Sequence, residues 1–178
     1  MPQNVEIKAL LRDRAAALAT VASKSDGPPE TILQHDFFFR WSEGRLKLRV
    51  FESGNGELIQ YKREDTADAR SSHYRITRTS DPEVLLDILT QTLGCVGEVK
   101  KTRILYLIGQ TRVHIDRVEG LGDFLELEVV LRPGQSEDEG KRIAGKLLAE
   151  LGIEKQELIA EAYVDLLSSA SPVVNGHP

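Results

Sequence analysis

Charged and aliphatic side chains alternate one for one in segment after segment of this sequence. In Val5-Glu6-Ile7-Lys8-Ala9-Leu10, Glu6 and Lys8 fall on one parity and Val5, Ile7 and Ala9 on the other. A period of two is the period of a β-strand, so this stretch predicts a strand with one charged and one apolar face. The pattern returns at 45–51, where Lys47 and Arg49 oppose Leu46, Leu48 and Val50. It also returns at 57–64, with Gln60 and Lys62 on one face, and at 71–79, with His73, Arg75 and Thr77. Three more such strands are predicted at 96–108 (Lys101, Arg103), 111–118 (Arg112, His114, Asp116) and 124–131 (Glu126, Glu128). An aromatic strand at 31–41, containing Gln34-His35-Asp36-Phe37-Phe38-Phe39, completes the set. Ser42-Glu43-Gly44 and Ser53-Gly54-Asn55-Gly56 provide hairpin turns.

Helices are fewer and are amphipathic. Residues 12–23 form one behind the N-cap Asp13, ended by the loop Ser25-Asp26-Gly27-Pro28-Pro29. Asp81-Pro82 opens a second, with the stripe Val84, Leu85, Ile88, Leu89 and Leu93 before the stop at Gly94. Ser136 and Glu139 make a capping box for a third, which carries Ile143, Leu147, Leu148 and Leu151. A short helix is expected at 160–167, and 168–178 reads as a disordered tail.

Strands that outnumber helices about two to one, joined by hairpins, predict an α+β fold around a large antiparallel sheet. One reading is an open sheet with every charged face solvated, which any single strand taken alone favours. The other is a barrel: the helices need apolar partners, the apolar strand faces supply them on the outside, and the charged faces then line the lumen. Matched parity across the strands favours the barrel. Crowded Lys and Arg in a lumen imply a polyanionic ligand such as a phosphate chain, which Arg can grip through two oxygens. The carboxylates suit Mg²⁺ or Mn²⁺, held by oxygen ligands and completed by substrate phosphates. His114 reads as a hydrogen-bonding wall residue, and Phe37, Phe38 and Phe39 as packing residues.

Composition bounds the rest. The 178 residues with 40% hydrophobic content suffice for one domain, and a net charge of −5 argues against a nucleic-acid or anionic-membrane surface. The single cysteine, Cys95, excludes an intramolecular disulfide and a cysteine-based zinc site, and is expected to be buried. No apolar run approaches the roughly 18 residues of a membrane span, and no signal-peptide layout is present, so a cytoplasmic location is expected.

The residues quoted above, with Gln60-Tyr61-Lys62-Arg63, Lys101-Thr102-Arg103, Gly120-Leu121-Gly122-Asp123-Phe124-Leu125-Glu126-Leu127-Glu128 and Ala162-Tyr163-Val164-Asp165-Leu166-Leu167, resemble the CYTH superfamily of triphosphate tunnel metalloenzymes. The class IV adenylyl cyclase branch is the most similar. The resemblance implies an eight-stranded antiparallel barrel over residues 1–167, with helices packed outside it. It also implies a small-molecule triphosphate substrate (ATP, tripolyphosphate or thiamine triphosphate), Mg²⁺ or Mn²⁺, and a monomeric or homodimeric chain. Glu6, Asp116, Glu126 and Glu128 match metal positions; Lys8, Lys47, Arg49, Lys62, Lys101 and Arg103 match triphosphate positions, and parity adds Arg75 and Arg112. Glu126, Glu128 and Lys62 are assigned to the chemical step. The expected reaction is cyclisation of ATP to cyclic AMP; triphosphate hydrolysis and binding without turnover are the alternatives. One departure stands out: Asn4 occupies a position where the family signature has glutamate.

Overall fold

The computed structural model describes residues 3–63 and 68–170. Eight strands form an antiparallel barrel: β1 (Gln3–Leu10), β2 (Glu30–Phe39), β3 (Arg45–Phe51), β4 (Gly56–Arg63), β5 (Arg70–Thr79), β6 (Cys95–Ile108), β7 (Thr111–Val118) and β8 (Gly122–Val130). Around the barrel the order is β1-β5-β4-β3-β2-β6-β7-β8, and β1 closes it by pairing with both β5 and β8. Closure leaves no unpaired sheet edge. The expected α+β class and eight-stranded barrel are both present.

Four helices lie outside: α1 (Arg14–Lys24), α2 (Pro82–Leu93), α3 (Glu137–Glu150) and α4 (Tyr163–Ala170). The caps expected from sequence are made. Asp13 accepts from the Ala16 amide, Asp81 from the Val84 amide, and Ser136 and Glu139 form both bonds of a capping box. A 3₁₀ turn at Lys155–Glu157, which the sequence did not signal, leads into α4. Helix α4 starts at Tyr163 and runs to Ala170, so residues 168–170 are helical and not part of a tail; 171–178 lie outside the described residues. Cys95 is exposed, contrary to expectation, because it stands at the open start of β6 just after Gly94.

The main core lies outside the barrel. Val5, Ile7, Val113, Ile115, Leu125, Leu127 and Val129, the apolar parities of β1, β7 and β8, pack with Val21 of α1 and Ala144, Leu147 and Leu148 of α3. Each fully buried aliphatic side chain here contributes roughly 1.5–3 kcal/mol. Helix α3 approaches β1 closely because residue 140 is glycine: a Cβ there would stand 2.7 Å from Val5 Cγ2 and from Leu131 Cδ2.

A second cluster closes one end of the barrel. Phe38, Val99, Val118 and Phe124 meet Ala162, Tyr163 and Val164. Phe38 and Phe39 are buried, and Phe37 stacks on His35 at 4.0 Å between ring centroids. The lumen is therefore stoppered at the end where β2 finishes and β6 begins, and it opens at the opposite end.

Candidate active site

The lumen is a cavity of about 450 Å³ with two unlike walls. Its size falls within the range of about 300–1,000 Å³ usual for small-molecule sites. One wall is charged. Glu6 and Lys8 (β1), Gln34 and Asp36 (β2), Lys47 and Arg49 (β3), Lys101 and Arg103 (β6), Arg112 and His114 (β7), and Glu126 and Glu128 (β8) all line it. The other wall, made by β4 and β5, is mainly apolar and aromatic: Ile59, Tyr61, Tyr74 and Ile76 line it, together with the charged pair Glu57 and Arg78.

Ten of the twelve residues assigned from sequence sit on the inward parity, and two do not. Lys62 and Arg75 are exposed. Register explains it: Arg49 pairs with Glu57 and Lys47 with Ile59, so the inward parity of β3 continues as Glu57, Ile59 and Tyr61. Gln60 then pairs with Arg75, and Lys62 with His73, on the outer surface. The helices pack chiefly on β1, β2, β3, β6, β7 and β8. The outside of β4 and β5 meets solvent and takes Gln60, Lys62 and Arg75, while Ile59, Tyr61, Tyr74 and Ile76 turn inward beside Glu57 and Arg78.

Inside the lumen the cations are already partnered. Asp36, which the sequence reading left without a role, is 2% exposed. It accepts from Lys47 Nζ at 2.8 Å and from Arg49 Nε and Nη2 at 2.7 and 2.8 Å. Asp116 is fully buried and accepts two bonds from Arg103 at 2.7 Å each and one from the Tyr163 hydroxyl at 3.0 Å. Lys101 Nζ lies 3.6 Å from the same carboxylate. Arg112 donates twice to Glu128, at 2.8 Å each, and the Asn4 side-chain amide also donates to Glu128. Glu126 stands 3.5 Å from both Arg103 and His114. Lys8 donates to the Glu161 carbonyl at 3.0 Å and lies 4.0 Å from the centre of the Tyr163 ring.

These contacts set the ionisation of the site. Burial would raise the Asp36 carboxyl, but Arg49, Lys47 and Lys101 outweigh it and hold the group well below the usual carboxylate range. Burial likewise opposes ionisation of Glu126 and Asp116, and Arg103 is the largest charge that reverses it in each, leaving both depressed. Lys47 moves the other way. Burial and then Arg49 pull it down to about 7, with Asp36 opposing. Burial and Arg103 also lower His114, whose buried Nδ1 has no hydrogen-bond partner. Lys101 is lowered by burial and Arg103.

Asp116 and Tyr163 form a substructure beneath the lumen. With both oxygens engaged and no exposure, Asp116 holds Arg103 in place at the stoppered end. For a hard divalent cation the lumen offers Glu6, Glu126 and Glu128, carboxylates of the right chemistry. Among the described residues no three His, Cys, Asp or Glu side chains converge as a preformed cage. This donor set fits the manner in which Mg²⁺ is commonly held, by one or two carboxylates plus substrate phosphates.

Known proteins share this architecture. A CYTH domain profile matches residues 2–163. A protein of Methanocaldococcus jannaschii, provisionally named an adenylate cyclase, is 25% identical over 170 residues, which cover 91% of this chain and 97% of that protein. The PH1012 protein of Pyrococcus horikoshii superposes with a TM-score of 0.81 at 22% identity, covering 92% of this chain and 99% of the other. HpAC1 of Hippeastrum, described as having a dominant triphosphatase activity, superposes with a TM-score of 0.67 at 15% identity, over 99% and 100% of the two chains. With the profile spanning most of its length, this chain belongs to the CYTH family, whose members act on triphosphate substrates and are generally metal-dependent.

Proposed function

We propose that the lumen binds the metal complex of an organic triphosphate, ATP in the first instance, and converts it to cyclic AMP and pyrophosphate. The observation that carries this reading is the contrast between a densely charged wall and a mainly apolar and aromatic one. A phosphate chain suits the first, and a nucleoside suits the second, where Ile59, Tyr61, Tyr74 and Ile76 offer apolar surface and two rings. The pairing of cations with carboxylates inside the lumen adds a second constraint. A nearly balanced site accepts a metal–triphosphate complex of small net charge more readily than a bare polyanion.

In this reading Lys8, Lys47, Arg49, Lys101, Arg103 and Arg112 hold the phosphate oxygens, and Glu6, Glu126 and Glu128 face the cation, Mg²⁺ or Mn²⁺. When bound, the cation supplies charge neutralisation on phosphoryl oxygens. The ribose 3′-hydroxyl oxygen bonds to the α-phosphorus, the bond from that phosphorus to the β-phosphate bridging oxygen breaks, and pyrophosphate leaves while the hydroxyl proton passes to solvent or a lumen base. Arginine and lysine side chains fixed by carboxylates stabilise the charge that develops on the leaving group. Lys62 and Arg75, on the outer surface, take no part.

Two observations favour alternatives. The charged wall would serve hydrolysis of tripolyphosphate or thiamine triphosphate equally, and a triphosphatase activity is described for the similar Hippeastrum protein. Asn4 donates to Glu128, whose two oxygens Arg112 also engages, and this competition with a metal favours binding without turnover. Purified protein incubated with Mg²⁺ or Mn²⁺ and each of ATP, tripolyphosphate and thiamine triphosphate separates the three. Cyclic AMP with pyrophosphate is the expected result. Orthophosphate alone would replace cyclisation by hydrolysis, and retention without product would leave a binding module.

A further inference from the structure

The geometry points to Asp36 as a positioning residue for the phosphate-binding wall: from the neighbouring strand it anchors Lys47 and Arg49 by ion pairs and sustains the charge of Lys47. The inference rests on the proposed triphosphate site and assigns that site a residue outside its expected set. Asp36 stands directly across from Arg49 in the β2–β3 register, and Phe38 across from Lys47. Its side chain is 2% exposed, against 13% and 12% for Lys47 and Arg49, so it is the most enclosed of the three groups. The contact with Arg49 is bidentate, through Nε and Nη2, and Lys47 reaches the oxygen that Nη2 also uses. A guanidinium held this way keeps its remaining N–H groups for a lumen ligand, as the ammonium keeps its other protons.

The surroundings of Lys47 make Asp36 decisive. From β3 itself Arg49 faces it, and from β6 Lys101 does, both repelling its charge. Phe38 of β2 and Tyr61 of β4 cover it, their ring centres 5.6 and 5.7 Å from Nζ. Asp36 is the carboxylate that opposes these influences. With the ammonium brought down to about 7, Lys47 is partly charged at physiological pH, and loss of that single negative charge removes most of the charged fraction that remains. A neutral Lys47 attracts no phosphate.

The test is Asp36→Asn, which keeps shape and removes charge. Titration of the Lys47 side chain is followed by ¹³C-lysine NMR, with the resonance identified by its loss in Lys47→Arg. The wild-type midpoint is expected near 7 and the Asp36→Asn midpoint lower by about one pH unit or more. Calorimetric binding of tripolyphosphate without metal is expected to be about tenfold weaker in Asp36→Asn at pH 7.5. Its decline with rising pH should begin at lower pH than in the wild type; the ligand's own ionisation is common to both and cancels in the comparison. Lys47→Arg, charged throughout, should show a smaller decline, the remainder belonging to Lys101. Asp36→Glu should retain the Lys47 midpoint, and it reads the charge dependence if the asparagine variant does not fold. An unchanged Lys47 midpoint in folded Asp36→Asn, a lowered midpoint in Asp36→Glu, or a pH decline in Lys47→Arg as large as in the wild type overturns the inference. Failure of the wild-type chain to bind tripolyphosphate or ATP would instead overturn the triphosphate site, and the NMR midpoints would still decide the Asp36–Lys47 coupling.

Discussion

Asp116 and the pair Glu126 and Glu128 are all lumen-parity carboxylates, yet their surroundings divide their roles. Asp116 is fully buried and saturated by Arg103 and Tyr163. Replacing it by Asn leaves a buried guanidinium without its counter-charge, a change that costs about 3–5 kcal/mol. Urea unfolding of Asp116→Asn should show a loss of that size. Glu126 and Glu128 retain 19% and 15% side-chain exposure and face the cavity. The double variant Glu126→Ala/Glu128→Ala should keep its circular dichroism and lose metal-dependent turnover. Turnover at the wild-type rate would remove both residues from the site. Asp36 was missed in the sequence because it sits in an aromatic run, between His35 and Phe37, with no alternation to mark it. The signal was present in the hairpin: pairing across Ser42-Glu43-Gly44 sets Asp36 opposite Arg49.

At the scale of elements, the strands differ in how plainly their inward face can be read. In β3 the apolar parity is pure, Leu46, Leu48 and Val50, so Lys47 and Arg49 could only belong to the other side. In β4 the adjacent Leu58 and Ile59 leave both faces mixed, and in β5 Tyr74 and Ile76 compete with Arg75 for the inside. Ladder register from β3 and the uncovered outer wall resolved what composition left balanced. Helix α4 shows a different dependence. It seats its first turn in the barrel end against β6, where Gly97 leaves room: a Cβ there would stand 2.7 Å from Val164 Cγ2. Gly97→Ala should push α4 outward and destabilise the chain by about 1–3 kcal/mol. The check is thermal unfolding, together with faster proteolysis confined to the C-terminal helix.

For the whole molecule, the paired lumen makes stability depend on pH. Asp36, Asp116 and Glu126 have depressed folded-state values, so unfolded chains bind more protons than folded ones once the pH falls to the ordinary carboxylate range. Their contribution is complete above about pH 4–4.5 and is lost as the pH falls through the folded values. His114, lowered by burial, acts in the same direction from about pH 6.5 downward, because it charges in the unfolded chain first. Lys47, lowered from 10.5 to about 7, acts in the same direction between those values. The urea midpoint should therefore decline as the pH falls from about 10.5 to about 7, gently below about pH 6.5 and steeply below about pH 4. A midpoint flat to pH 3 would show that the carboxylates are not engaged as described.

By itself the sequence determined the class, the strand and helix order and the charged inner face of most strands, because period-two alternation and helix caps are local properties. It also carried the family resemblance, which is spread along the chain as short motifs. Only the tertiary structure decided which residues meet across distance. Tyr163 reaches Asp116 from 47 residues away, Asn4 reaches Glu128 from 124, and α4 closes an end of the barrel that the strands alone leave open. It likewise decided that the lumen has one densely charged side and one mainly apolar and aromatic side. The inward face of β4 and β5 follows from their partners' register and from the outer wall left to solvent, and neither is written in the strands themselves.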